Sequence, residues 1–372
     1  MENKQLIILA YDFPPSQGGI ARLCYEIAIG QKAYYEEIIV MTRKKIGMHY
    51  PLKSKNFQLY ELPSKRIYCD IAVVRLLRTF NKQQSIILTA LWYPEAFLAL
   101  LSGHRNIYSL AHGAELQPGK SFLRKHIWQK IFGQSILKSV KMVISNSHFT
   151  KKLVENMASK ANVEALPLGV DTEQFKPINI KKQDNVFVIS SLSRIHRFKG
   201  YDEVLEALCQ LPKETQSKIT WHIGGTGPYL NALKDKINNT PKYFTVDFKG
   251  FIPDEKLVEF YNQSHLFILF TQDLLHQNNV EGFGLVFLEA QACGVPVIGT
   301  NTGGIPDAIE SNNGGWLIEQ NDIGALAEQI LVLMNNPQLL NDQALKAREK
   351  CIQKSSWNIY NNNLFKLIND SR

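Results

Sequence analysis

The stretch "HLFILFTQDLLHQNNVEGFGLVFLEAQACGVPVIGT" (265–300) reads in order as a strand, a loop, a helix and a second strand. HLFILFT and VPVIGT are short apolar runs of the kind buried inside parallel sheets. Parallel strands joined through a helix are the crossover unit of α/β folds. The polar QDLLHQNNVEG forms the loop, and the helix is expected to start near Phe283–Gly284. A helix begun there turns free N–H groups and a partial positive charge back toward the loop, which favours an anion. Gly282 and Gly284 admit a ligand close to the backbone. Glu281 then stands before the helix, and Glu289 lies about five residues into it, roughly 7 Å along the axis. Two readings remain open. The carboxylates flank one ligand with hydroxyls at both ends and phosphate in the middle, or they are a capping acid and an unrelated surface glutamate.

The same rhythm fills the rest of the chain. LIILA (6–10), EIIVM (37–41), IILTA (86–90), NIYSL (106–110) and MVISN (142–146) read as buried strands, with helical patterns such as GIARLCYEIAIGQ between them. VFVISSLS (186–193), KITWHIGG (218–225), YFTVDFKG (243–250) and HLFILFT repeat the scheme in the second half. This alternation predicts two doubly wound α/β domains. LPLGVDTEQFKPINIKKQDN (166–185), with its prolines and lysines, is the expected connection. The tail SSWNIYNNNLFKLIND offers a Ser-type cap and helix-spaced Ile359, Leu364 and Leu367.

Composition narrows the class. A 372-residue chain with 45% hydrophobic and 20% charged residues is long enough for two cores and ordinary for a globular protein. The five cysteines are scattered without a C-x-x-C pair, which points to a reducing compartment and to neither a disulfide framework nor a zinc site. No apolar run reaches the length of a membrane span, so the expected location is cytoplasmic. Residues 1–170 hold 23 Lys+Arg against 11 Asp+Glu, whereas residues 171–372 hold 19 against 23. The basic half suits anionic lipid or an acidic substrate, and no nucleic-acid motif accompanies it. Between residues 120 and 132, Lys120, Arg124, Lys125 and Lys130 alternate with Phe122, Leu123, Ile127, Trp128, Ile131 and Phe132. That pattern fits a helix packing on the core, or a surface helix resting on anionic lipid at the inner face of the cytoplasmic membrane.

Further residues cluster at expected strand ends. SLSRIHRFKG (191–200) supplies Arg194, Arg197 and Lys199 just past a strand, where open α/β sheets bind ligands. PPSQGGIARL places Gly18–Gly19 before a helix, a turn whose amides can meet phosphate without the spacing of the dinucleotide fingerprint. SLAHGAEL puts His112 and Glu115 after a strand, and GGTGP (224–228) reads as a strand-ending turn. H-E-x-x-H, a Walker lysine motif and G-x-S-x-G are all missing, which disfavours zinc hydrolases, P-loop enzymes and α/β-hydrolases.

Taken in order, strand–GGI–helix, HGAE, VISNSHFTKKLV, LPLGVDTEQF, SLSRIHRFKG, GGTGP and EGFGLVFLEAQACGVPVIGTNTGGIPDAI resemble the retaining nucleotide-sugar glycosyltransferases of family 4. The E-x7-E element and the Arg…Lys pair five apart are its specific parts. The resemblance implies the GT-B fold, two Rossmann-like domains facing a cleft. An acceptor-binding domain would span 1–168, a nucleotide-sugar-binding domain 169–354, and a closing helix 355–372 would pack back on the first. By the same resemblance Glu281 holds donor-sugar hydroxyls, Glu289 the ribose, and the amides of Gly284, Leu285 and Val286 the phosphate and sugar. Arg194 and Lys199 neutralise the departing diphosphate, Gly19, with Gly18 before it, meets it, and His112 stands near the donor sugar. The donor is a UDP- or GDP-sugar, the acceptor a glycan or lipid-linked sugar, and neither cofactor nor metal is expected, in keeping with the missing D-x-D pair. The loop before Glu281 departs from the family in being longer and more polar. A catalytically silent GT-B partner subunit is the alternative, and the intact Arg194, Lys199, Glu281 and Glu289 argue against it. An epimerase or phosphorylase is disfavoured by the E-x7-E spacing.

Overall fold

The computed structural model describes residues 5–16, 18–45, 56–117, 131–180, 182, 185–273 and 279–371. The chain divides into two compact units: Met1–Leu168 with Trp357–Arg372, and Gly169–Ser356.

Among the described residues, the first unit holds β1 (Gln5–Leu9), β2 (Glu37–Arg43), β3 (Gln58–Leu62), β4 (Ser85–Thr89), β5 (Ile107–Ala111), β6 (Met142–Ser145) and β7 (Val163–Ala165). They form one parallel sheet in the order β3-β2-β1-β4-β5-β6-β7. β4, β5 and β6 are buried throughout, and β1 nearly so, because helices cover both faces; that is why their sequences are continuous apolar runs. Strand order reverses between β1 and β4, so the crevice past their carboxyl ends is this unit's natural ligand position.

The second unit repeats the plan with β8 (Phe187–Leu192), β9 (Ile219–Gly224), β10 (Thr245–Gly250), β11 (Leu266–Leu269), β12 (Val297–Thr300) and β13 (Gly315–Ile318). The order is β10-β9-β8-β11-β12-β13, again parallel, with the reversal between β8 and β11. Both units are therefore doubly wound. β3, β7 and β13, which the sequence reading passed over, each lie at a sheet edge, where fewer side chains are covered and the apolar run is broken.

The helix Trp357–Asp370 belongs to the first unit. Of the apolar positions expected to anchor it, only Leu364 is fully buried; the buried stripe is Trp357, Tyr360, Asn361, Leu364 and Ile368. Ile359 and Leu367 are half-buried instead. The stripe is set by the helix Gly19–Gly30, onto which a polar residue fits: the Asn361 amide donates to Glu26 O at 3.2 Å, and Gln31 Nε2 donates to Asn361 O at 2.8 Å. Tyr34 stacks on Phe365 with ring centroids 4.4 Å apart. Asn361→Leu keeps the backbone acceptor but removes Oδ1, which takes a second bond from Gln31 Nε2 at 3.0 Å, and the amide donor to Glu26 O, and is expected to cost about 1–3 kcal/mol of unfolding free energy. Equal urea midpoints for the two proteins would refute this.

Candidate functional site

In the second unit three loops gather where strand order reverses. The segment after β8 bends back through Arg197–Lys199, and Gln272 N–H, past β11, donates to Phe198 O at 2.7 Å. The turn after β9 holds the same segment from the other side, since Ile195 N–H donates to Thr226 O at 2.9 Å. A Cβ on Gly225 would lie 1.9 Å from Ser193 O, and one on Gly227 would lie 2.2 Å from Ile195 O. GGTGP is thus a strand-ending turn, but its glycines also let two loops pack backbone to backbone and fix Arg194.

The three cations of SLSRIHRFKG separate. Arg197 is occupied: its guanidinium pairs with Glu203 at 2.9 Å and Asp202 at 3.2 Å and lies over the Tyr229 ring. Arg194 is exposed, and its guanidinium makes no hydrogen bond or ion pair among the described residues, while its backbone O accepts from Ser193 Oγ at 3.2 Å. Lys199 is mostly covered, and its ammonium donates to Glu281 Oε2. The structure so brings together two residues that the sequence keeps 82 positions apart. Burial, then Arg194, then Lys199 hold the His196 imidazole below its ordinary value, a sign of local positive potential.

Glu281 is fixed through its backbone as well. Gly304 N–H donates to Glu281 O at 2.8 Å, and Gly303 (φ +56°) turns tightly enough that a Cβ there would sit 2.5 Å from the same oxygen. The TGGIP turn after β12 therefore sets the position of a carboxylate more than twenty residues earlier. The helix begins at Leu285, with Gly284 left-handed at its cap (φ +93°). Phe287 N–H donates to Gly284 O, while the amides of Leu285 and Val286 have no partner among the described residues. They are the open end of the helix.

Glu289 is the fifth residue of this helix, 7% exposed, and its Oε2 accepts from Tyr261 O–H at 2.7 Å. Burial, followed by the charge of Glu289, pushes the Cys293 thiol one turn on up to about 12. Tyr261 is completely buried and orients Glu289 from the helix Asp254–Asn262. Nothing in EFYNQ marks it in the sequence, because its role comes only from packing across two helices.

In the first unit, the helix Gly19–Gly30 follows Gly18, in front of which a Cβ would meet nothing within 4 Å. His112 follows β5; its Nε2 lies 2.9 Å from Ala90 O. A carbonyl only accepts, so Nε2 carries the proton and Nδ1 is left as acceptor in the neutral ring. Glu115 accepts from His112 N–H at 2.6 Å, which gives that carboxylate a loop-holding role. Past β4 stands a residue the sequence reading missed: Glu95, 1% exposed, whose carboxyl burial raises to about 8. Residues 120–130 of the basic stretch lie outside the described residues; Ile131 is 67% exposed and Phe132 packs inward on Phe97 at 4.9 Å.

Comparison with known proteins completes the picture. Residues 17–174 match the model of Glycosyltransferase Family 4, and residues 170–354 that of Glycosyl transferases group 1. The chain is 25% identical, over 99% of both sequences, to a GDP-mannose-dependent alpha-(1-6)-phosphatidylinositol monomannoside mannosyltransferase of Mycolicibacterium smegmatis. In structure it is similar to sucrose-phosphate synthase of Thermosynechococcus elongatus, with TM-score 0.77, 18% identity and 98% of each chain covered. The Anabaena protein HepE, solved with UDP-glucose, gives the same TM-score, with 18% identity over 98% of this chain and 99% of its own. Two doubly wound parallel sheets, matched along nearly their whole length, place this chain among the family 4 glycosyltransferases of the GT-B fold.

Proposed function

We propose that the protein is a retaining glycosyltransferase that moves a hexosyl unit from a UDP- or GDP-sugar to a glycan or lipid-linked sugar, in cell-surface polysaccharide synthesis. The observation that carries this reading is the Lys199–Glu281 pair beside the open amides of Leu285 and Val286, at the reversal point of the second sheet.

The chemistry follows from charge. As the bond between the anomeric carbon and the diphosphate oxygen breaks, negative charge grows on the diphosphate and positive charge on the sugar. Arg194, Lys199 and the helix N-terminus are fixed donors for the negative charge, the kind of term that dominates many enzymatic accelerations. Gly18 and Gly19 are assigned to the same diphosphate, His112 and Glu281 to the sugar, Glu289 to the ribose. The acceptor hydroxyl attacks the face that the diphosphate leaves, forming the new C–O bond, and its proton goes to the departing diphosphate. Fixed cations do the work that a divalent metal does elsewhere.

The test is a thermal-shift screen of UDP- and GDP-sugars, then product analysis with the sugar that binds. Expected are transfer or slow hydrolysis with the donor's anomeric configuration retained, and unchanged turnover in excess EDTA. An inverted product, or activity lost in EDTA and restored by Mg²⁺, would overturn the corresponding part of the proposal.

The membrane reading is carried by the basic, aromatic stretch 120–132 and by the lipid-linked acceptor. No helix among the described residues is long and apolar enough to cross a membrane. A Lys120/Arg124/Lys125/Lys130→Gln variant is expected to sediment less with anionic liposomes than the parent at low salt, since each nearby cation contributes about 1 kcal/mol. Equal, salt-independent partitioning would reject it.

A further inference from the structure

On one side of the reversal point, the strands β8, β9 and β10 are covered unevenly. Right-handed crossovers put the helices Tyr201–Gln210 and Leu230–Asn239 on one face, where Trp221 and Ile223 are completely buried. The other face carries Val188 opposite Thr220, Ser190 opposite His222, and His222 opposite Asp247. On that face the helix Asp254–Asn262 packs Tyr261 on Phe267 of β11, and Gln263 just beyond it forms a rim. Over the uncovered part lies a cavity of about 380 Å³, whose polar lining is Lys182, Thr220, His222, Asp247, Lys249 and Gln263.

Two observations mark this wall as built for a ligand. His222, which lines the cavity, has its Nδ1 buried without a hydrogen-bond partner; Ser190, its neighbour in register, is fully buried behind it and outside the lining. Buried polar groups are paired in the large majority of cases, and an orphan costs about 1–3 kcal/mol. The lining is also bipolar. Lys249 pairs with Asp247, His222 Nε2 stands 4.0 Å from the same carboxylate, and Lys182 Nζ donates to Ser264 O at 2.7 Å. Two ammonium groups against one carboxylate favour an anion, while Asp247, Thr220 and Gln263 suit hydroxyls. Burial, then Lys249, hold the His222 imidazole below its ordinary value, which leaves it a neutral donor and acceptor near pH 7. The cavity shares no lining residue with the candidate donor site, which lies past the carboxyl ends of β8 and β11.

The geometry points to a second, non-catalytic site in this unit that takes a sugar monophosphate, with phosphate on Lys182 and Lys249 and hydroxyls on Asp247, His222 and Thr220. The volume is in the range of small-molecule pockets. Titration calorimetry on the full chain with glucose 1-phosphate, inorganic phosphate and glucose tests it. Lys249→Gln and Thr220→Val are expected to weaken glucose 1-phosphate binding about tenfold each, and Arg194→Ala to leave it unchanged. Inorganic phosphate should bind more weakly than the ester, and glucose not measurably. Retention of the parent's unfolding midpoint identifies variants that remain folded, and two separate variants keep the test decisive if one does not. Binding lost in Arg194→Ala but kept in Lys249→Gln would assign the ligand to the donor site and overturn the proposal. So would inorganic phosphate binding as tightly as the ester, or no binding of either at millimolar concentration.

Discussion

Arg194→Ala and Lys199→Ala are each expected to lower turnover by about 10²-fold or more, with a smaller loss of donor binding. Charge on the departing diphosphate is largest in the transition state, so a fixed cation there contributes more to the rate than to the ground-state complex. The two residues should differ in stability. Arg194 is exposed and its guanidinium unpaired among the described residues, so its removal leaves the fold untouched. Lys199 is the partner of Glu281, and both side chains are largely covered, at 13% and 17% exposure. Its removal strands a carboxylate, which is costly in a covered position. Steady-state kinetics with chemical denaturation separates these effects. Near-normal turnover in both variants would sink the diphosphate assignment, and equal denaturation midpoints would sink the role of the pair.

Glu281→Gln is expected to cut transfer about 10²-fold while free nucleoside diphosphate binds nearly as before, whereas Glu289→Gln should weaken nucleotide binding itself. The structure gives the two carboxylates different settings. Glu281 precedes the helix, clamped by the Gly303–Gly304 turn and paired with Lys199; Glu289 is inside the helix, oriented by Tyr261. A neutral amide at 281 keeps the shape but no longer balances the Lys199 charge or accepts strongly from sugar hydroxyls. Calorimetry with nucleoside diphosphate, set beside kinetics with the intact sugar nucleotide, measures both. If the two variants behave alike, the division of labour is wrong.

Much of the fold was legible in the sequence because interior strands of a parallel sheet are covered on both faces. LIILA, IILTA, MVISN and HLFILFT must be apolar along their whole length, and the segments between them must be helices. The helix start at Gly284–Leu285 was legible for the same kind of reason: GFG is a local signal, and the cap is a local structure. Local chemistry alone therefore determined two doubly wound sheets, the two carboxylates about a helix N-terminus, the positions of Arg194, Lys199 and His112 past strand ends and that of Gly19 at a helix start.

What only the tertiary structure decided is how distant segments meet. QLYEL, VEA and GWLI are strands because a sheet edge was available to them, not because of their own patterns. Arg197 and Lys199, near-equivalent in sequence, part company because Asp202, Glu203 and Tyr229 surround the one and Glu281 reaches the other. The tail helix turns Trp357 and Ile368 inward in place of Ile359 and Leu367, since the partner surface at Glu26 and Gln31 selects its face. Tyr261 acquires its part only by standing across from Glu289. Hydrophobic period and glycine placement are properties of neighbours along the chain, whereas partners of a charge or an amide are chosen by packing between segments far apart in sequence.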